Sequence, residues 1–184
     1  ELPDPEPECA FVHRAEVDAE HPLRTAGGGR LVLHGQFPPE TSVAAVRATA
    51  EGGAPSLSVV AADSEVITLE VGPGQGSSTL GLSIADKPVP QLVWVNDAEG
   101  RVVPAARLSI PFRYQPPAVA SVFGCSDLGA ETVDCPIGGG VAIRIVGTDF
   151  GASASDVAVN IGETGECGNV RMAAPDTIIC DLPA

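Results

Sequence analysis

The sequence has few basic residues, few aromatic residues and no long apolar run. Its 184 residues hold 10 lysine and arginine side chains against 24 aspartate and glutamate, a formal net charge of −14. Such an acidic chain repels phosphate backbones and anionic lipid, so we expect neither nucleic acid nor a membrane surface as a partner. The apolar runs fall far short of the roughly 20 residues that a membrane-spanning helix needs, so no membrane insertion is expected in this segment.

Signatures of catalysis and of cofactor or metal binding are also lacking. Asp149-Phe150-Gly151 spells the kinase magnesium motif, but the other kinase motifs do not accompany it. Gly72–Gly76 lacks the spacing of a phosphate-binding loop, and no acidic loop has EF-hand spacing. His34 lies between Leu33 and Gly35 on a predicted strand and is interpreted as a surface residue. Ser, His and Asp all occur, but nothing resembles a nucleophile elbow. We therefore predict no enzyme, no cofactor and no bound metal.

What the sequence does contain is a series of short segments in which apolar residues recur at every second position. Each segment is bounded by Gly, Pro, Asp or Asn. This pattern predicts β-strands separated by turns. Thr41–Glu51 is readable either as a helix or as a strand, because it is rich in alanine but also carries β-branched residues. The chain is therefore predicted to be all-β. The predicted strands are 30–34, 56–60, 65–71, 78–84, 91–95, 106–110, 141–146 and 156–161.

One glycine-bounded pattern occurs twice. A Gly-Gly pair is followed, after six intervening residues, by a single Gly and then by a Phe, and apolar residues alternate along those six residues. An Asp that leads into another apolar strand comes further along in both copies. We interpret this as a tight turn, a strand that faces a core, and a bend before a buried Phe. The copies are Gly27-Gly28, Gly35, Phe37 and Asp63, and Gly139-Gly140, Gly147, Phe150 and Asp176.

The boundary between the two copies is predicted at Pro116-Pro117, because two prolines cannot continue a strand ladder. Residues 1–116 carry 8 basic and 15 acidic side chains, and residues 117–184 carry 2 and 9, so each unit has a net charge of −7. Neither unit offers the basic face that nucleic-acid binding requires.

The second unit resembles the IPT/TIG domain, an immunoglobulin-like β-sandwich found in plexins, Met-type receptors and many protist and algal surface proteins. The resemblance is carried by Pro117–Cys125, Cys135–Gly140, Ile143–Gly151 and Asp176–Pro183. It extends more weakly to residues 1–116, which keep the glycine-strand-glycine pattern but lack the cysteine pairs. It implies an all-β chain of two consecutive immunoglobulin-like β-sandwiches of IPT/TIG type, the second incomplete at its C-terminus.

Two departures from the family pattern set the expected domain limits. The first sandwich, residues 1–116, has an inserted hairpin near 87–104 that contains the only Trp, Trp94. The second, residues 117–184, stops before its last strands. Because the sequence begins at Glu1 rather than Met, we expect it to be a piece of a longer protein that continues into further domains.

The resemblance implies a disulfide between Cys167 and Cys180, which match a bonded pair of receptor-type IPT domains. Cys125 and Cys135 bracket the polar loop 126–134, which a bridge would hold in place. Zinc is the rival interpretation, although the chain has no CxxC pair and its histidines lie far away; reduced thiols in a cytosolic protein are another. Disulfides would indicate an extracellular or cell-surface location. Cys9 has no expected partner in this sequence. It could form a disulfide with a cysteine upstream of Glu1, form one with another chain, or remain a free thiol.

The leading functional hypothesis is a non-catalytic extracellular structural or adhesion module that contacts protein partners, either neighbouring domains or further copies of itself. Trp94 is the candidate contact residue, although burial under its own hairpin is the alternative. The Arg-over-Lys composition suits a GC-rich genome, and within this class a filament or flagellar surface coat is a narrower hypothesis. An accessory carbohydrate-binding module of a secreted enzyme is the alternative function, and aromatic residues at 4% argue against it.

Overall fold

The computed structural model describes residues 10–96, 98–162 and 165–184. The chain divides into two compact units, Glu1–Tyr114 and Gln115–Ala184. Both are built from β-strands, and the only helical segments among the described residues are two 3-10 turns, Glu51–Gly53 and Ala154–Asp156. Neither approaches the length or apolarity needed to cross a membrane.

The described residues of the first unit form ten strands, several of which alternate buried apolar residues with less buried ones. Leu31 and Leu33, for example, point into the core while their strand neighbours are only half-buried. The strands are β1 (Phe11–Val17), β2 (Gly29–Gln36), β3 (Val46–Ala50), β4 (Leu57–Ala62), β5 (Val66–Val71), β6 (Ser77–Ile84), β7 (Lys87–Val89), β8 (Gln91–Asn96), β9 (Val102–Arg107) and β10 (Ile110–Arg113).

These strands make two sheets that enclose one core, as in an immunoglobulin-like β-sandwich. One sheet has the order β4-β5-β2-β1-β8-β9, and the other has the order β10-β6-β3 with β7 beside β6. Leu33 and Ile67 of the first sheet belong to the same buried cluster as Leu80 and Ile110 of the second. The strands pair antiparallel, except that β8 starts parallel to β1 at the Val12–Gln91 pair.

The second unit is built on a four-stranded antiparallel sheet of order β11-β14-β18-β17. Its core gathers Ile143, Ile145 and Ile178 with Cys167 and Cys180, and Val157 packs against it from outside the sheet. The strands are β11 (Ala118–Phe123), β12 (Ser126–Leu128), β13 (Glu131–Val133), β14 (Ala142–Thr148), β15 (Asn160–Ile161), β16 (Gly165–Glu166), β17 (Gly168–Ala174) and β18 (Thr177–Asp181).

The repeated glycine pattern forms the same corner in both units. A Cβ on Gly35 would lie 2.6 Å from the Cζ of Phe37, and one on Gly147 would lie 2.5 Å from the Cζ of Phe150. Each glycine therefore lets a buried Phe ring pack directly on the backbone.

Backbone hydrogen bonds correct the predicted match between the two aspartates. The N–H of Gly35 donates to the carbonyl of Glu65, and the N–H of Gly147 donates to that of Asp176, both at 2.9 Å. Glu65, not Asp63, is therefore the counterpart of Asp176.

The structure decides one prediction that was left open between helix and strand. Thr41–Glu51 contains a strand, Val46–Ala50, because its alternate residues face the core against β6. Two other predicted strands differ from the structure. The predicted strand 106–110 is interrupted at Leu108 and Ser109, where the chain passes from one sheet to the other.

The second difference is segment 156–161, which keeps the expected alternation but begins in a 3-10 turn and forms a strand only at Asn160–Ile161. Val157 and Val159 pack on the core, and the carbonyl of Val159 accepts a hydrogen bond from the N–H of Cys167 at 2.8 Å. A ladder depends on the neighbouring strand, which local periodicity does not encode.

Candidate contact surface

The β8–β9 hairpin lies at one edge of the six-stranded sheet. The N–H of Val12 on β1 donates to the carbonyl of Pro90 at 2.9 Å, which fixes where the hairpin leaves the sandwich. β8 then pairs with β9 from Gln91–Arg107 to Asn96–Val102. β9 is the outermost strand, and Pro104 within it has no N–H to offer, as is typical of an edge.

One face of this hairpin, here called the Trp94 face, is apolar and open to solvent. Alternation along the pair places Trp94 directly opposite Pro104. The Trp94 side chain is 73% exposed, so the hairpin does not cover it. An indole ring held this far out on a paired strand is available for contact. The Trp94 face consists of Leu92, Trp94 and Asn96 on β8 and Val102, Pro104 and Ala106 on β9.

The loop of the hairpin is polar and turns at Gly100, whose φ is +76°. An Arg101 Nη2 donates to Glu99 Oε2 at 3.0 Å beside it. Asp97, predicted as part of this loop, lies outside the described residues.

Two disulfides are present in the second unit. Cys167 and Cys180 join β18 to the residue before β17, with Cα atoms 5.7 Å apart, and both are buried in the core. Cys125 and Cys135 have Cα atoms 5.2 Å apart and are half-buried. Cys9 lies outside the described residues, so its partner stays a prediction.

The Cys125–Cys135 bridge closes a hairpin where the sequence indicated only a polar loop. β12 and β13 pair from Ser126–Val133 to Leu128–Glu131, and Gly129 takes the turn with φ of +66°. The Cys125 N–H donates to Thr132 Oγ1 at 2.8 Å, which holds one face of the hairpin inward. The other face, here called the Leu128 face, carries Ser126, Leu128, Glu131 and Val133.

Two histidines of the first unit, His21 and His34, form ordinary surface pairs with carboxylates. His34 Nε2 lies 2.9 Å from Glu16 Oε1, and this hydrogen bond is the main reason that the pKa of Glu16 is lowered. His21 Nδ1 lies 3.0 Å from Asp18 Oδ2. Within the described ranges, no group of three or more His, Cys, Asp or Glu side chains is placed to hold a metal ion.

Comparisons with known proteins identify the second unit. Residues 131–184 match the family model of the IPT/TIG domain. No curated protein sequence matches the chain. One similar solved structure is the plexin A4 full extracellular region, domains 1 to 10, at 17% sequence identity and a TM-score of 0.35. The match covers 95% of this chain but 13% of that one. A TM-score this low does not establish a common fold, so the assignment comes from the family model.

Proposed function

From the premise that residues 131–184 belong to an IPT/TIG domain, we propose that the chain is a non-catalytic, extracellular structural and adhesion module of a larger surface or filament-forming protein. IPT/TIG domains are immunoglobulin-like and non-catalytic. In this role each sandwich is a stiff scaffold, and binding occurs through exposed hairpins and sheet edges.

The extracellular location is supported by the disulfides. Bridges such as Cys167–Cys180, which lies in a core, form and persist in oxidising compartments and are rare in the cytosol. The net charge of −14 also suits a protein that works as a solvated surface module.

The observation that carries the proposal is the Trp94 face. Interface energy concentrates in a few aromatic and arginine side chains, which apolar neighbours surround and shield from water. Trp94 has such neighbours across the hairpin in Val102 and Pro104, and Arg101 comes directly before that strand. A large exposed aromatic on a well-paired hairpin has no structural use in the sandwich core, which indicates a partner.

The test compares the purified chain with Trp94→Ala for binding to intact cells of the organism that produces it, measured by flow cytometry. We expect at least a roughly tenfold loss of binding, since a hot-spot aromatic contributes more than about 1.4 kcal/mol. Val60→Ala, at an exposed apolar position on the opposite edge strand β4, is the matched control and should bind as the parent does. Equal binding by the parent and Trp94→Ala would refute the assignment of this surface.

Trp94 also supports a second candidate, the carbohydrate-binding accessory module. Sugars stack on exposed aromatic rings, and Trp94 is the one exposed aromatic side chain among the described residues. Binding of the parent chain to a glycan array, with loss in Trp94→Ala, would favour this candidate over protein adhesion.

A further inference from the structure

Segment 156–161 of the second unit occupies the place in the chain order that β3 holds in the first unit. Each follows the strand of the glycine corner, β14 or β2, and each precedes an antiparallel pair, β17–β18 or β4–β5. Both alternate apolar side chains that pack on the core with exposed side chains. The strand that pairs with β3 therefore indicates what can pair with segment 156–161.

In the first unit that strand is β6, which also covers the core. β3 pairs antiparallel with β6 from Val46–Ile84 to Ala50–Leu80. Leu80, Leu82 and Ile84 alternate along β6 and are buried together with Val46. On its other edge β6 is paired with β10 and β7. One strand with alternating apolar residues thus completes the ladder of β3 and closes the core.

The direction of the backbone groups follows from one hydrogen bond at the end of this pair. In antiparallel pairing, the N–H and C=O of one residue point to the same edge, and successive residues point to opposite edges. The N–H of Ala85 donates to the carbonyl of Ala45 at 2.9 Å. Gly81 and Ser83 therefore also point their backbone groups towards β3, whereas Leu82 between them points to the other edge.

The corresponding edge of segment 156–161 has no strand beside it among the described residues. Because the carbonyl of Val159 accepts from the N–H of Cys167, Val159 points to the side of β16. Ala158 and Asn160 then point their N–H and C=O groups to the opposite edge. These two residues have exposed side chains, as has Arg47, which points its backbone groups to β6 on β3. Such an edge is a template for a further strand.

The core side of segment 156–161 is also covered less completely than that of β3. Val157, Val159 and Ile161 pack against the core of the second unit but are only half-buried. Val46 on β3, beside β6, is 5% exposed. Apolar side chains of an added strand, placed as those of β6 are, would remove this remaining apolar surface from water.

We propose that the open edge of segment 156–161 binds an extended peptide segment as an antiparallel strand, with apolar residues at alternate positions. Main-chain hydrogen bonds provide the affinity, and the alternate side chains that enter the core provide the specificity. This surface is distinct from the Trp94 face and does not depend on the proposed function. Since β6, which has the required pattern, is already paired on both edges, the occupant is a segment from outside the described residues.

The test is fluorescence anisotropy of a labelled synthetic peptide titrated with the purified 184-residue chain. The probe has the sequence of residues 75–85, which contains β6, the natural partner of β3. We expect saturable binding of one peptide per chain. Methyl groups on the peptide nitrogens of Gly81 and Ser83 remove the two N–H groups that point to the edge. They should weaken binding at least about tenfold.

A second modified peptide is the matched control. Methyl groups on the nitrogens of Leu80 and Leu82 remove two N–H groups that point away from the edge, so binding should remain close to that of the unmodified peptide. Both modified peptides keep the same side chains and carry the same number of methyl groups. The protein itself is unchanged throughout, so no variant has to fold.

Amide hydrogen exchange locates the bound peptide. The N–H groups of Ala158 and Asn160 should exchange at least about tenfold more slowly in the complex, because they gain hydrogen-bond partners. Amides of β4 and β9, the two strands at the edges of the six-stranded sheet, should not change and serve as internal controls.

Three results would overturn the proposal. The first is no binding of the unmodified peptide; the proposed function would be unaffected, because it is read from the loss of cell binding in Trp94→Ala. The second is equal binding of the two methylated peptides, which indicates apolar association without strand pairing. The third is slowed exchange on β4 or β9 instead, or slowing at Ala158 and Asn160 that rises with chain concentration in the absence of peptide, which indicates a second copy as the occupant.

Discussion

Gly147 shows at the scale of single residues why the repeated corner admits only glycine. A Cβ at this position would overlap the carbonyl oxygen of Ala118 and lie 2.5 Å from the Cζ of Phe150. The strand β11 and the ring would both have to move. The same geometry at Gly35, against Phe11 and Phe37, shows that the constraint belongs to the corner and not to one unit.

We expect Gly147→Ala to lower the free energy of unfolding by about 1–3 kcal/mol, the usual cost of forcing atoms into a packed site. Urea unfolding measures it. Gly138→Ala is the control, because a Cβ there meets nothing within 4 Å and its φ is not positive. Equal stability of the two variants would mean that the corner relaxes without cost.

Tyr114, the only tyrosine of the chain, closes the first unit from the end of β10. Its hydroxyl donates to the carbonyl oxygen of Gly72 at 2.7 Å, and its ring lies against Gly74. Burial raises the pKa of this phenol to about 12. The folded state therefore keeps the proton at a pH where an unfolded tyrosine, with a pKa of about 10, loses it.

The stabilising contribution of Tyr114 is thus fully present below about pH 10 and is lost as the pH rises towards 12. Tyr114→Phe should remove this part of the alkaline loss of stability and cost roughly 1 kcal/mol at neutral pH through the missing hydrogen bond. Phenolate absorbance of the folded chain reports the pKa directly. A Tyr114 pKa near 10 in the folded chain would contradict the burial of this phenol.

At the scale of elements, the two disulfides differ in what they hold. Their sequence separations of 10 and 13 residues predict similar chain-entropy contributions of about 3 kcal/mol each. The two bridges differ in burial, because Cys167 and Cys180 also belong to the buried core of the second unit. Cys125 and Cys135 instead close a hairpin whose Leu128 face is exposed.

Replacing Cys167 and Cys180 by Ala should therefore destabilise the chain more than replacing Cys125 and Cys135, as read by urea unfolding. A dithiol reductant should open the half-buried Cys125–Cys135 bridge first, which alkylation and mass spectrometry detect. Opening of the core bridge first would show that the second unit exposes its core more readily than its closed structure indicates.

At the scale of the whole molecule, the distribution of charge is more informative than its total. Each half carries −7, yet acidic residues are absent from 100–126 and basic residues from 114–143. The first stretch includes the edge strand β9, and the second includes the β12–β13 hairpin.

The sequence predicted several of the strands that line a core but missed β1, on which Val12 is fully buried. Strands such as β2 and β5 alternate apolar and other residues because one face is buried. The β12–β13 hairpin has no buried face of its own, so it left no apolar period and was expected as a loop. Trp94 was singled out as an aromatic residue on a hairpin, whereas the exposed side chains of Leu128 and Ile137 were missed. The residue type of an apolar side chain does not indicate whether it is exposed or buried.

The sequence by itself determined the all-β class, the two Gly-Gly turns and the cysteine spacing, since strand alternation, the positive φ of Gly27, Gly28, Gly139 and Gly140 and loop closure are properties of neighbouring residues. Only the tertiary structure decided that segment 156–161 pairs at its end alone, that Trp94 stands in solvent, and that one disulfide is buried while the other is half-exposed. These outcomes depend on which residues cover a given surface. Such residues are distant along the chain, so the packing of the whole unit decides them.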